Sequence, residues 1–236
     1  MRVDGMNWMQ MEALLQHEDR CVLPIASVEQ HAYLSLATDA LLAERMAVEA
    51  AQTLGVPVFP VLSYGHTPMF TAYPGTVSLR LDTLLAVVRD LLVGLHAQGF
   101  RRIVVVNGHG GNSAVASQIS ELQAEQPRLQ VKFHNWWNAP RTWAHVAGLE
   151  ADSSHASWME NLPWTRVAGT VQPAGAKPVV DYGIYRLLNP QQARAFAGDG
   201  NFGGSYARPD EDVLAMWNIA VTETRELIEG PWRPAD

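Results

Sequence analysis

Two short stretches carry the side chains best suited to hold a divalent metal. Glu29-Gln30-His31 is followed, ten positions after Glu29, by Asp39, and much farther along runs Asn107-Gly108-His109-Gly110-Gly111-Asn112. Glu29 and His31 are separated by one residue, so on an extended segment both side chains point one way and Gln30 the other. Asp39, after a short loop, can return to the same locus, and its two oxygens suit it to bridge two ions. Gly108, Gly110 and Gly111 around His109 permit tight turns and close backbone approach. Imidazole and carboxylate without thiolate suit Zn²⁺, Mn²⁺ or Fe²⁺ and fit a catalytic site better than a closed structural one. The bland alternative is a pair of hydrogen-bonded core histidines and two capping acids. A third segment, His155-Ala156-Ser157-Trp158-Met159-Glu160, sets an imidazole and a carboxylate five positions apart. That spacing is not one face of a helix, so the two would serve different tasks, His155 in a loop and Glu160 on the helix after it. Taken alone, the pair reads more simply as a solvated helix terminus.

These groups need a scaffold that brings them together. Cys21 to Ile25 and Ile103 to Val106 are short apolar runs, each ending just before a ligand segment. Such runs suit strands buried on both faces of a parallel sheet, and ligands gather beyond the carboxyl ends of strands in sheets of that kind. Helical spacing predicts helices near Asn7 to Gln16, Ala40 to Leu54, Leu81 to His96, Ser113 to Glu125 and Glu211 to Glu229. Thr38 is the expected N-cap of the second, placing Asp39 in a first turn that favours carboxylates, and Gly55 ends it. Further strands are expected at Val58 to Leu62, where Pro60 marks an edge, and at Val131 to Phe133. The alternation predicts a three-layer α/β/α sandwich with a mostly parallel central sheet, formed as a single domain over residues 1–236.

Composition narrows the function. The 236 residues are 47% hydrophobic and 17% charged, enough to bury a sizeable core. A formal charge of −7 argues against general nucleic-acid binding, which needs a basic footprint. One cysteine, Cys21, lies inside a strand pattern and reads as a small buried hydrophobe, so a reducing cytoplasm is the natural compartment. The N-terminus lacks the pattern of a signal peptide, and no apolar run reaches the ~18 residues of a membrane span. Trp136, Trp137, Trp143, Trp158 and Trp164 fall close together, which points first to core or subunit packing and second to an aromatic pocket for a planar ligand. The long loop holding Tyr64, His66 and Tyr73 is too aromatic for disorder, so Tyr64 is a candidate for the pocket wall. Asp152 could orient His155 or bind a substrate nitrogen, or be an exposed turn residue. His17, His96, His134 and His145 have no second ligand nearby and read as surface or packing residues. Phe202-Gly203-Gly204-Ser205 is too short for a phosphate cradle.

In order, Glu29-Gln30-His31, Asp39, Asn107 to Asn112 and His155 to Glu160 resemble the motifs of the creatininase family of metal-dependent amidohydrolases. Between them, Tyr73-Pro74-Gly75-Thr76-Val77-Ser78 is similar to the family's aromatic-Pro-Gly-Thr-x-Ser segment, and the resemblance spans most of residues 20 to 165. It implies two divalent ions, zinc foremost with manganese or iron compatible. One would be held by Glu29, Asp39 and His109, the other by His31, Asp39 and Glu160, with Asp39 bridging. His155 would pass a proton to the leaving nitrogen. The expected reaction is opening of a C–N bond in a small nitrogenous substrate, a cyclic amide or formamide-like group, with Tyr64, Ser78, Trp136, Asp152 and Trp158 as substrate-contact candidates. Cleavage of a short peptide and non-catalytic ligand binding are the competing expectations. The resemblance also implies a homo-oligomer, a hexamer in family members. Tyr33 and Leu34 stand where the family has a second histidine. Gly110 and Gly111 stand where the family's namesake has tyrosine and glutamate, so the second metal's carboxylate falls to Glu160.

Overall fold

The computed structural model describes residues 1–233. α1 (Trp8–Leu15) begins at a capping box in which the Asn7 side chain accepts from Gln10 N–H and the Gln10 side chain accepts from Asn7 N–H. There follow β1 (Arg20–Ile25), α2 (Thr38–Ala51), α3 (Leu81–Gln98), β2 (Arg102–Asn107), α4 (Ala114–Glu125), β3 (Gln130–Asn135) and α5 (Pro140–Leu149). The last third holds β4 (Ala176–Lys177), α6 (Tyr182–Tyr185), α7 (Pro190–Ala197), β5 (Gly204–Ser205) and the long α8 (Asp210–Glu229).

β1, β2 and β3 form a parallel sheet in that order, Ile25 level with Asn107 and Asn107 with Asn135. The strand expected at Val58 to Leu62 is reduced to two parallel bridges on β1, at Val22–Val58 and Ile25–Leu62. A proline on β1 explains the difference. Val22 N donates to Pro57 O at 2.9 Å and Ala26 N to Leu62 O at 2.8 Å, but between them Pro24 has no N–H to give to this segment. This edge segment lies on the side of β1 away from β2. The chain therefore leaves β1 in one direction and returns on the other side, creating a topological switch point beyond the ends of β1 and β2, where crevices form in open α/β sheets.

The sheet alternates between two helical layers. Val22, Val104 and Val106 pack with Leu42 and Met46 of α2 and with Met216, Trp217 and Ala220 of α8. Cys21, Leu23, Ile25, Ile103 and Val105 face Leu84, Val88 and Leu92 of α3 and Ile119 and Leu122 of α4. Each such aliphatic side chain contributes roughly 1.5–3 kcal/mol on full burial, so this two-sided packing is what holds the ligand-bearing strand ends in place. Trp136, Trp158 and Trp217 are buried on the α8 side, in keeping with core packing. α2 starts one residue earlier than a Thr38 cap requires: Ala37 is the cap position, and the Thr38 hydroxyl donates back to Ser35 O at 2.6 Å. Asp39 still falls in the first turn. Glu160 sits on a single 3-10 turn, Trp158–Glu160, not on a regular helix. No helix of the described residues is long and apolar enough to cross a membrane.

His134 on β3 is a packing residue, buried with its Nε2 2.9 Å from Thr224 Oγ1 of α8. Burial lowers its pKa from 6.5 to about 4, with Glu223 opposing weakly. A depressed folded-state pKa means that its stabilising contribution is complete above about pH 6.5 and is lost as the pH falls toward 4, because the unfolded chain takes up the proton first. Over that window the wild type should lose ~3 kcal/mol more unfolding free energy than His134→Asn. Urea titrations at a series of pH values check this, and parallel pH profiles for the two proteins would contradict it.

Candidate active site

Beyond β1, Val28 makes a single antiparallel bridge to Val77 just before Glu29 to His31. The chain then doubles back so that Leu34 N donates to His31 O at 2.9 Å and Glu29 N to Leu36 O at 3.0 Å. This hairpin-like return delivers the first turn of α2, and Asp39 with it, against Glu29 and His31. From β2, Asn107 and Asn112 shape the neighbouring turn: Asn107 Oδ1 accepts from His109 N at 3.1 Å, and Asn112 Nδ2 donates to Ala26 O at 3.1 Å. Two glycines are required by close approach. A Cβ on Gly108 would lie 2.6 Å from Asp39 O, and one on Gly111 would lie 2.0 Å from His66 O and 2.4 Å from His109 Nε2.

The expected ligands converge. Asp39 lies between two imidazoles, Oδ1 2.9 Å from His31 Nε2 and Oδ2 3.2 Å from His109 Nδ1. Glu29 Oε1 is 3.1 Å from His109 Nδ1, and Glu160 Oε2 is 3.9 Å from His31 Nε2. Donors bound tetrahedrally at ~2.1 Å from a zinc ion stand about 3.4 Å apart, so these spacings are of the right size for shared ions. Glu29 Oε1 and Oε2, His31 Nε2 and Asp39 Oδ2 are buried without a hydrogen-bond partner, although they face one another. Buried polar atoms left this way want an explanation, and a cation supplies one. The remaining ring nitrogens are held from behind: His31 Nδ1 is 3.2 Å from Glu29 O and His109 Nε2 is 3.0 Å from His66 O. Donation to those carbonyls aims His31 Nε2 and His109 Nδ1 at the acids, the orientation a metal ligand needs once its proton there is displaced. Two groups of possible ligands share Asp39, namely Glu29, Asp39 and His109, and His31, Asp39 and Glu160; a third combines Glu29, His31 and His155.

Electrostatics tell the same story. Burial drags His31 down, but the carboxylates of Asp39, Glu160 and Glu29 outweigh it and raise the ring to about 10. Burial likewise opposes charge on His109, which Glu29 and Asp39 nevertheless hold well above its ordinary value. Burial would raise Asp39 and Glu29, yet the neighbouring imidazoles keep both below theirs. Glu160, most affected by burial, rises to about 7. Protons on two imidazoles thus stabilise the acids, and a divalent ion would take over that task by displacing them. His155 differs. Burial and then the adjacent His31 lower it to about 4, leaving a neutral ring stacked on Phe70 at 4.8 Å.

A cavity of about 510 Å³ opens onto Glu29, Asp39, His109, His155 and Glu160. Its walls are Phe70, Trp137, Trp143, Met159, Tyr182 and Phe202, with Asn138, Ser153 and Ser154 as neutral polar groups. The expected substrate contacts are not among them. Trp136 and Trp158 are core residues, 1% and 0% exposed. Tyr64 is 48% exposed and Asp152 is also on the surface, both away from the cavity lining. Ser78 is spent on the backbone, accepting from Thr67 N at 2.9 Å and donating to Leu79 O at 3.0 Å. Trp137 and Trp143 belong to the tryptophan cluster that allowed for an aromatic pocket. Phe70, Tyr182 and Phe202 carried no such signal.

The family model described as "Creatininase: Creatinine amidohydrolase" matches residues 4–228. The chain belongs to the creatininase family. Its fold agrees with solved structures titled as a creatininase mutant of Zn-Zn type and as "Creatininase Mn", each at TM-score 0.76 and 22% identity over 97% of this chain, covering 96% and 97% of those chains. In sequence it is 34% identical over 119 residues to the creatinine amidohydrolase of Pseudomonas putida, covering 47% of this chain and 45% of that protein. It is also 34% identical over 113 residues to the mycofactocin precursor peptide peptidase of Mycolicibacterium smegmatis, covering 44% and 45%. The chain thus matches somewhat under half the length of these curated relatives.

The crowding at position 111 separates two glycines of the creatininase turn. Gly111→Ala should destabilise the protein by about 1–3 kcal/mol and weaken zinc binding, because the new methyl displaces His109 from His66 O. Gly110→Ala, whose Cβ meets nothing within 4 Å, should leave both unchanged. Chemical denaturation and zinc titration of the two variants make the comparison, and equal behaviour would contradict the placement of His109.

Proposed function

We propose that this chain is a single-domain, metal-dependent amidohydrolase that opens a C–N bond in a small cyclic amide or formamide-like substrate. The observation that carries the proposal is the position of Asp39, buried with one oxygen toward each of two histidines. Glu29, Asp39 and His109 would hold one divalent ion and His31, Asp39 and Glu160 a second. Imidazole and carboxylate donors favour zinc and also admit manganese or iron. Bound there, such ions would supply a Lewis acid for the substrate oxygen and an activated water for attack on the amide carbon.

The chain's own residues do the rest. His155, neutral at rest with Nδ1 3.8 Å from Glu29 Oε1, would take up the proton released by the attacking water and pass it to the departing nitrogen. Across the whole reaction, water adds its hydroxyl to carbon and its hydrogen to nitrogen, and His155 serves the second transfer. Phe70, Trp137, Trp143 and Phe202 limit water and offer flat apolar faces, while no lysine or arginine lines the cavity among the described residues. A small neutral or cationic planar molecule fits that wall chemistry better than an anionic one. Likeness to the Pseudomonas putida creatinine amidohydrolase supports a cyclic amide, but Gly111 provides no carboxylate and leaves that task to Glu160. The peptidase relative supports a second reading, cleavage of a short peptide. We further propose a homo-oligomer working in the cytoplasm.

A hydrolysis screen of lactams, cyclic ureides, formamides and short peptides with zinc-loaded protein tests the reading, which fails if stoichiometric metal brings no turnover of any amide. On the substrate found, His155→Ala should retain its metal and lose ~10²–10⁴-fold in rate. Asp39→Ala should instead lose metal, since both ions share that residue, and an unchanged metal content would remove the bridge from the account.

A further inference from the structure

The carboxyl ends of β1, β2 and β3 are joined by side-chain amides that no step of the proposed hydrolysis uses. Asn107, level with Asn135 across the sheet, donates from Nδ2 to Asn135 Oδ1 at 2.8 Å and to His109 O at 2.7 Å. Its Oδ1 accepts from His109 N at 3.1 Å and from Asn112 Nδ2 at 3.3 Å. Asn112 gives its second hydrogen to Ala26 O, just past β1, at 3.1 Å, and its Oδ1 accepts from His66 N at 3.2 Å. Both asparagines are fully buried. Neither amide can turn over: reversing Asn112 would set oxygen against the oxygens of Ala26 and Asn107, and N–H against the N–H of His66. The chain of bonds ends on the residue whose carbonyl faces the His109 ring, His66 O being 3.0 Å from His109 Nε2. We propose that Asn112 is a positioning residue that holds the His66 carbonyl against the His109 ring, and thereby sets the affinity for the ion on the His109 side of Asp39.

The two ligand histidines are supported unequally. His31 takes its rear contact from Glu29 O, two residues away on its own segment, with no member of the amide chain between them. His109 depends on a carbonyl 43 positions away in sequence. Asn107 clasps the His109 backbone at both its N–H and its carbonyl, which fixes where the ring starts but not where it points. Its direction is left to His66 O. His66 belongs to a loop whose other bonds run to its own far limb, from Leu79 N to Gly65 O at 2.8 Å and between His66 Nδ1 and Leu79 O at 3.1 Å. Asn112 is what ties that loop to the turn carrying His109. The approach is close enough to require glycine next door: a Cβ on Gly65 would lie 2.4 Å from Ala26 O and 2.6 Å from Asn112 Oδ1. Truncating Asn112 leaves His66 N and Ala26 O without these partners and frees the loop, and the His66 carbonyl with it, to drift from the ring. Partners that orient a metal-binding imidazole from behind act on affinity without touching the ion.

This role rests on the reading that Glu29, Asp39 and His109 hold an ion. The test compares wild type with Asn112→Ala and the milder Asn112→Ser, whose hydroxyl is too short to reach both Ala26 O and His66 N. Zinc is titrated against a chromophoric chelator, and crystals of each protein at graded zinc locate the ions by anomalous scattering. In either variant that folds, one ion should bind as in wild type and the other about 10–100-fold more weakly, the peak among Glu29, Asp39 and His109 being the one that fades. A merely structural Asn112 would weaken both ions alike. That result, or unchanged affinity for both, overturns the assignment. Metal-free crystals keep the two readings apart. If wild type takes up no zinc, the metal reading falls, while His109 Nε2 leaving His66 O in the variants still supports the positioning role and a ring that stays in place removes it.

Discussion

Three carboxylates and two imidazoles share one buried volume at the carboxyl edge of the sheet, with Asp39 at its centre and no lysine or arginine lining the cavity among the described residues. Keeping carboxylates ionised away from water costs several kcal/mol per group unless they are paired. The protein meets that cost with imidazolium protons or with metal, and every surrounding device serves to hold the two histidines against the acids. The carbonyls of Glu29 and His66 orient the rings, and the glycines of the Asn107 to Asn112 turn let α2 and the His66 loop approach. Ala32 and Ala156, the two non-glycine residues with positive φ among those described, directly follow His31 and His155. Backbone strain of ~1–3 kcal/mol per residue is concentrated where ring placement matters most.

Much of this was legible in the sequence because it depends on short-range pattern. Apolar runs ending at Glu29 and at His109 marked the buried strands, and a spacing of two put Glu29 and His31 on one side with Gln30 opposite. The loss of regular pairing at Val58 to Leu62 was half legible: Pro60 was visible as an edge signal, but the missing donor is Pro24, on the strand it pairs with. The cavity wall was not legible. Trp136 and Trp137 have the same chemistry, and the packing of Trp136 against Trp217 at 5.6 Å leaves Trp137 to line the cavity. Ser78 belongs to a family motif and looked like a substrate contact, yet its hydroxyl is consumed by the loop it stabilises.

Long-range support was hidden for a different reason. Gln30 Nε2 donates to Gly200 O from 170 positions away, and nothing local to residues 198–204 announces that their loop closes over a histidine from the middle of the chain. Metal ligands are recognisable by type, whereas the groups that hold them act through backbone carbonyls that any residue possesses. This division explains why the creatininase family is readable from its motifs while the substrate is not: the candidate ligands Glu29, His31 and His109 follow directly on β1 and β2, whereas the walls come from Phe70 and from scattered segments after β3.

On the reading proposed above, two ions share Asp39. Crystals grown with zinc and measured on both sides of the zinc absorption edge test it directly. Two anomalous peaks are expected per chain, one among Glu29, Asp39 and His109 and the other among His31, Asp39 and Glu160. A peak that lies instead among Glu29, His31 and His155, or a single peak that leaves one side of Asp39 bare at saturating zinc, would contradict it.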